Sequence, residues 1–327
     1  MLAEPLYYIP HIGVIFVHTI IYHMNIFDRY NIRALNNLDL LAQQVVEGFI
    51  IGLHKSPFHG FSVEFAEHRL YNQGESTRNI DWKVYARTDK LFTKRYEEET
   101  NLRCQIIIDQ SSSMHFPQEE DLSEGQINKF QFSCLAAASL MNLLKKQRDA
   151  FGLSLFDDQI NIHSPTKSST SHYRLMLTYL ERALSGPHRR KSTAAAEALH
   201  HVAERVHKRS LVIVFSDMLD RMDNADELFA GLQHLKHSKH EVILFHTVHE
   251  EKEIELGYAN RPYIFEDVET GEKVKVRPKE VRQQYKGSLK KFRRELRLKC
   301  LQYKIQFVET DIQKGFEPIL QSVLIQR

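Results

Sequence analysis

Ile106-Ile107-Ile108-Asp109-Gln110-Ser111-Ser112-Ser113-Met114 is the stretch on which the fold turns. A β-branched apolar run delivers a carboxylate, then hydroxyls at every second position. β-branched side chains favour strands. A run that is apolar at consecutive positions predicts a strand buried on both faces, as in a parallel sheet. The loop at the carboxyl end of such a strand is where open α/β sheets bind ligands. Asp109, Ser111 and Ser113 offer only oxygen, the donor type taken by hard cations such as Mg2+.

Working outward, the pattern alternates between strand and helix. Strands are predicted at Cys104–Ile108, Phe151–Phe156, Leu211–Phe215, Glu241–His246 and Lys304–Glu309, with Gln159–His163 as a hairpin partner of the second. Helices are predicted at Phe130–Lys146, Tyr173–Leu184, Thr193–Val206, Ala225–Leu235, Val281–Tyr303 and Phe316–Ile325. Thr270-Gly271 marks a hairpin turn between Tyr263–Glu266 and Lys273–Val276. Upstream, Leu35, Leu38, Leu41, Val45 and Phe49 recur at helical spacing within Arg33–Leu53, and Leu91–Tyr96 alternates like a strand. Strands alternating with helices imply an α/β fold: a Rossmann-like, doubly wound, mainly parallel sheet with a smaller N-terminal α+β part. The expected division is 1–24, an apolar extension; 25–100, an accessory region; and 101–327, the main domain.

Bulk properties narrow the classes. With 327 residues, 42% hydrophobic and 26% charged, the chain can bury one large core or two modest ones. A net charge of +2 excludes a molecule built as a whole to coat nucleic acid. Cys104, Cys134 and Cys300 form no CxxC pair and read as buried free thiols of a reducing compartment, so the expected location is the cytoplasm. No GxxxxGK or GxGxxG is present, so nucleotide binding is unsupported. From Pro5 to Phe27 there is no Asp, Glu, Lys or Arg. This stretch is long enough to span a bilayer, but prolines, a glycine and three histidines interrupt it. Three readings stand: an overextended start with Met24 as initiator, a membrane anchor, or a packed extension.

Asp109 and Asp217 each follow a short apolar strand. If the two strands are parallel neighbours, both carboxylates emerge at one sheet edge. Lys191-Ser192-Thr193 lies between them in sequence and precedes an Ala-rich helix, where Thr193 reads either as a cap or as a metal ligand. The Asp-x-Ser-x-Ser pattern with a later Thr and Asp resembles the metal-ion-dependent adhesion site of von Willebrand factor type A domains. That resemblance implies Mg2+ held by Asp109, Ser111, Ser113, Thr193 and Asp217, with one position left for a partner's carboxylate. Mn2+ and Ca2+ also suit oxygen ligands. The chain lacks the glycines that often precede the family's Thr, which weakens the match at Thr193.

A second resemblance lies upstream. Gly60-Phe61, Glu64-Phe65, Arg69, then Tyr71-x-x-Gly74-Glu75-x-x-Arg78-x-Ile80-Asp81-Trp82 and Ala86-Arg87-Thr88, joined to the Asp109 loop, resemble the bacterial family catalogued as domain of unknown function fifty-eight. It implies an adaptor or co-chaperone that works with a MoxR-type AAA+ ATPase, not an enzyme. The alternating Arg and carboxylate residues of the upstream motif also read as a structural ion-pair network.

The partner-binding rim is expected at His188, Arg189, Arg190, Lys191 and Met114, where positive charge would favour an acidic ligand. The basic face of Val281–Tyr303 reads as a solvated outer helix, and it lacks the interleaved aromatics of a single-strand-binding surface. Two alternatives stay open. One is a structural scaffold with a metal-free site. The other is a Mg2+-dependent hydrolase or phosphatase with Asp109 as nucleophile, although Ser111 stands where such phosphatases place a second Asp and no general acid is evident.

Overall fold

The structure, a computed structural model, describes residues 37–55, 68–70, 82–88, 90–94, 102–123, 125–186, 195–219, 225–237, 239–268 and 271–325. The extension 1–24 and most of the upstream motif lie outside the described residues. The chain divides into two compact units: the residues up to Phe49 with those from Leu102 onward, and Ile50–Asn101.

Helix α1 (Leu38–Lys55) begins at Asn37, whose side-chain oxygen accepts the Leu40 N–H at 3.1 Å. Leu38, Leu41, Ala42, Val45, Val46 and Phe49 form its buried stripe, the spacing read from the sequence. In the smaller unit, β1 (His68–Leu70) pairs antiparallel with β2 (Phe92–Lys94). Trp82–Thr88, read above only as part of a motif, forms helix α2.

The larger unit is built on a six-stranded sheet. Its strands are β3 (Arg103–Asp109), β4 (Ala150–Phe156), β5 (Ile160–His163), β6 (Leu211–Ser216), β7 (Glu241–Val248) and β10 (Gln306–Asp311). The order is β10-β7-β6-β3-β4-β5, parallel except for β5, which returns antiparallel along β4. The remaining strands, β8 (Tyr263–Glu266) and β9 (Lys273–Val276), make a separate antiparallel hairpin. The expected α/β class, mainly parallel sheet and hairpin are therefore present.

The central strands are buried on both faces, so helices must cover both. Ile107, Val212, Val214, Val242 and Leu244 meet α5 (Ala195–Arg205), α6 (Ala225–His237) and α7 (Pro278–Gln302) in one continuous core. On the opposite face α3 (Lys129–Lys146) lies against β3, β4 and β7 and packs with α4 (Thr170–Ser185). Phe132 of α3 stacks on Phe316 at 4.6 Å, just before α8 (Glu317–Ile325). Tyr173 of α4 donates its hydroxyl to Asp39 of α1 at 2.8 Å. All three cysteines are free and buried, as expected.

The chain leaves β3 toward β4 and β5, then crosses back to place β6 on the other side of β3. This reversal is a topological switch point, and the crevice outside the strand ends there is the default ligand position of an open α/β sheet.

Candidate functional site

Three loops converge at that crevice, following β3, β6 and β7. Ile108 pairs with Phe215, so Asp109 ends β3 level with Ser216 at the end of β6. Ser216 in turn pairs with His246 of β7. The side chains at this edge are held by short contacts. The Ser216 hydroxyl donates to Asp109 Oδ2 at 2.6 Å, and the Ser111 N–H donates to Asp109 Oδ1 at 2.9 Å. The Ser111 and Ser113 hydroxyls lie 3.1 Å apart. Ser113 also hydrogen-bonds the Asp217 carboxylate. The loop after β3 is a 3-10 turn over Ser112–His115, which brings the two hydroxyls to one side. After Asp217 the backbone turns through Met218 at φ 52, a left-handed conformation uncommon for a residue with a side chain. There the Met218 and Leu219 N–H groups donate to Ser216 Oγ and Asp217 Oδ1.

The residue that sequence reading missed is Lys129. Asn128 and Gln131 form a reciprocal capping box that starts α3 and puts Lys129 in its first turn. A cation there opposes the helix dipole. It is tolerated because Lys129, fully buried, donates to Asp217 Oδ2 at 2.7 Å and to Glu253 Oε1 at 2.6 Å. Glu253 comes from the turn Glu250–Ile254 that follows β7. Its other oxygen accepts the His249 N–H at 3.0 Å. The only sequence signal was a lysine directly before a helix that is apolar almost all round. Ser216 was visible at a strand end but was assigned no role.

Charge is unbalanced at this edge. Three carboxylates, Asp109, Asp217 and Glu253, gather here with one ammonium, Lys129, which pairs with Asp217 and Glu253. Burial, and next the Asp217 charge, push the Asp109 carboxyl up to about 7 despite its hydrogen bonds from Ser216 and Ser111. Burial also raises Asp217. The Lys129 ammonium and the donors Lys129, Leu219 and Ser113 together outweigh that and hold Asp217 below the usual range. Burial raises Glu253. Of the Asp109–Asp217 pair, Asp109 is therefore the member that takes a proton more readily. His246, fully buried at the same edge, has no hydrogen-bond partner for either ring nitrogen among the described residues, and burial lowers it to about 4.

Of the residues expected to hold a metal, Asp109, Ser111, Ser113 and Asp217 are brought together. Thr193 lies outside the described residues, as do His188, Arg189, Arg190 and Lys191 of the expected rim. Met114, also expected on that rim, is fully buried and offers a partner no surface. Its side chain points into the core because the 3-10 turn carries Ser113 outward instead. Among the described residues no group of three or more His, Cys, Asp or Glu side chains is arranged to hold a metal. A cation here would therefore depend on the serine hydroxyls. Their 3.1 Å separation is close to the ~2.9 Å edge of an octahedron with Mg2+–oxygen bonds of about 2.0–2.1 Å. The excess of carboxylates over Lys129 is what a divalent cation would offset. The donors present thus fit Mg2+ in chemistry and in charge.

Residues 67–295 match the family described as Protein of unknown function DUF58, and the chain belongs to that family. Uncharacterized protein Mb1516 of Mycobacterium bovis and uncharacterized protein Rv1480 of Mycobacterium tuberculosis are each 25% identical to it over 188 residues. Each match covers 57% of this chain and 56% of the relative, so the chain spans about half the length of the curated relatives it matches. Among solved structures, an aerotolerance-related membrane protein from Bacteroides fragilis is similar at 15% identity and a TM-score of 0.43, over 69% of this chain and 100% of that one. The conserved hypothetical protein BatB from Bacteroides thetaiotaomicron is similar at 14% identity and a TM-score of 0.38, over 68% and 99%. No helix among the described residues is long and apolar enough to cross a membrane.

Proposed function

We propose that this chain is a metal-dependent protein-binding module whose sheet edge takes a partner's carboxylate through Mg2+. The observation that carries the reading is the meeting of Asp109, Ser111, Ser113 and Asp217 at the switch-point crevice, where burial and the Asp217 charge disfavour a charged Asp109. Ser111 and Ser113 would bind the ion with Asp109 and Asp217, and Thr193 is the fifth ligand by resemblance. The bound ion would supply an electron-poor centre that attracts an anionic oxygen. Ser113, the partly exposed member of the cluster, opens it to solvent. The partner class implied by the resemblance is a MoxR-type AAA+ ATPase, and the role is that of adaptor or co-chaperone.

The full chain, stripped with EDTA, is titrated with Mg2+ in a calorimeter beside Asp109→Ala and Ser113→Ala. One saturable site in the parent, absent from both variants while their circular dichroism is unchanged, supports the reading. Capture of a MoxR-type ATPase with Mg2+ but not with EDTA then tests the partner. One observation favours a metal-free scaffold instead: Lys129 already neutralises Asp217. Absence of Mg2+ binding at millimolar concentration would decide for that scaffold.

A further inference from the structure

Beside the Asp109 loop opens a cleft of about 780 Å³ between the segment Ser112–Asp121 and the β8–β9 hairpin. One wall carries Phe116. The other is Tyr263, Ile264, Phe265 and Glu266, four consecutive residues of β8. Side chains alternate between the two faces of a strand, so a cleft against one face would be lined by every second residue. Lining by all four puts the cleft along the strand's open edge.

The main chain agrees with this placement. The Asp267 N–H donates to the Glu272 carbonyl at 2.8 Å, in register with the hairpin. In an antiparallel pair, residues that exchange hydrogen bonds alternate with residues that do not. Phe265 and Tyr263 therefore bond to β9, and the N–H and C=O of Ile264 point to the outer edge. No strand among the described residues pairs with that edge. Its outward side chain at the middle of the strand is apolar. β9 carries Lys273 and Lys275, whereas β8 exposes Ile264 at 66%. A largely apolar edge that no other strand covers among the described residues is a template for another strand.

We infer that the outer edge of β8 binds an extended segment of a protein partner, which adds as a third strand and alternates apolar with cationic side chains. This interaction is distinct from the metal reading, since it requires no ion. Two features specify the occupant. Glu120 and Asp121 are exposed on the cleft wall, against Lys252 as the cation there. The chain's own β9 shows the complement of β8: Val274 and Val276 lie opposite Phe265 and Tyr263, and Lys273 and Lys275 lie opposite Glu266 and Ile264. Lys273 pairs with Glu266 at 3.1 Å. Main-chain bonds to an edge strand supply affinity, and the alternating side chains supply specificity.

The probe is a fluorescein-labelled peptide copying residues 272–277, Glu-Lys-Val-Lys-Val-Arg, followed by anisotropy on the full chain with EDTA present. Saturable binding is expected, weakened when both peptide lysines are replaced by glutamate and when Glu120→Gln and Asp121→Asn are combined in the protein. The decisive variant is Ile264→Pro, which removes the outward N–H. Proline is tolerated where a strand's N–H faces away from its sheet, so the hairpin persists. Loss of that bond should weaken binding about five- to tenfold. Equal binding by Ile264→Pro would mean exchange with β9 or a surface contact, and would overturn the inference, as would no binding by the parent. Self-association of the unliganded chain, abolished by Ile264→Pro in sedimentation, would make the occupant a second copy and would overturn the assignment to a partner.

Discussion

Lys129 and Asp217 form a buried ion pair of 2.7 Å between residues 88 positions apart, and the same ammonium holds Glu253 at 2.6 Å. One side chain thus ties the start of α3 to the loops after β6 and β7. Removing it would leave the buried Asp217 and the partly buried Glu253 without their cation. Lys129→Met is expected to destabilise the fold by about 3–5 kcal/mol near neutral pH. Urea melts should show that loss shrinking in acid, where carboxylates accept protons. A loss under about 1 kcal/mol would mean that the pair behaves like an exposed one.

Asp109 makes metal-free stability fall with rising pH. Its folded value, about 7, lies above the unfolded 3.8. Between those values the folded state binds more protons than the unfolded state, so this group's contribution is present below about pH 4 and is lost by about pH 7. Asp109→Asn keeps a neutral side chain at every pH. In EDTA it should melt higher than the parent at pH 8, with the gap closing toward pH 4. A constant gap would place the proton elsewhere.

His246 acts in the opposite direction. Its folded value, about 4, lies below the unfolded 6.5. The unfolded state then binds more protons in that window, and stability falls as pH drops from about 6.5 to about 4. His246 lies 5.6 Å from the Phe307 ring and uses neither nitrogen in a hydrogen bond among the described residues. His246→Phe should flatten the acid limb of the melting profile and leave the profile above pH 7 unchanged in slope.

Gly231 sets the spacing of α5 and α6. A Cβ there would lie 2.9 Å from the Ala196 carbonyl oxygen and 3.2 Å from Leu199 Cβ. Backbone cannot yield as a flexible side chain can. Gly231→Ala is therefore expected to cost about 1–3 kcal/mol despite alanine's better helix propensity. Denaturant midpoints decide it: a stabilised variant would show that the two helices can separate freely.

On the proposed function, Mg2+ binding should stabilise the fold through ligand linkage by about 2.7 kcal/mol at a hundredfold excess over Kd, and so raise the melting temperature. An ion held as proposed would compete with a proton for Asp109, so the increase should be larger at pH 8 than at pH 5. Asp109→Ala should show none.

The apolar runs of β3 and β6 placed Asp109 and Asp217 at strand ends, and the Asp-x-Ser-x-Ser spacing singled out Ser111 and Ser113. Those features are local: burial on both faces and side-chain period are written in consecutive residues. Met114 was misjudged because nothing in a four-residue window says which side of a 3-10 turn faces the core. Lys129 was missed because its partners are distant in the chain.

By itself, the sequence determined an α/β chain with a mainly parallel sheet, the strands and helices of the larger unit, and a cluster of oxygen donors after β3. Only the tertiary structure decided that β6 lies beside β3, that Lys129 enters between Asp217 and Glu253, and that β8 leaves an open edge along a cleft. The physical reason is range. Secondary structure follows from hydrogen bonding and burial along short segments. Strand order, buried charge and proton location follow from which distant groups share one low-dielectric site.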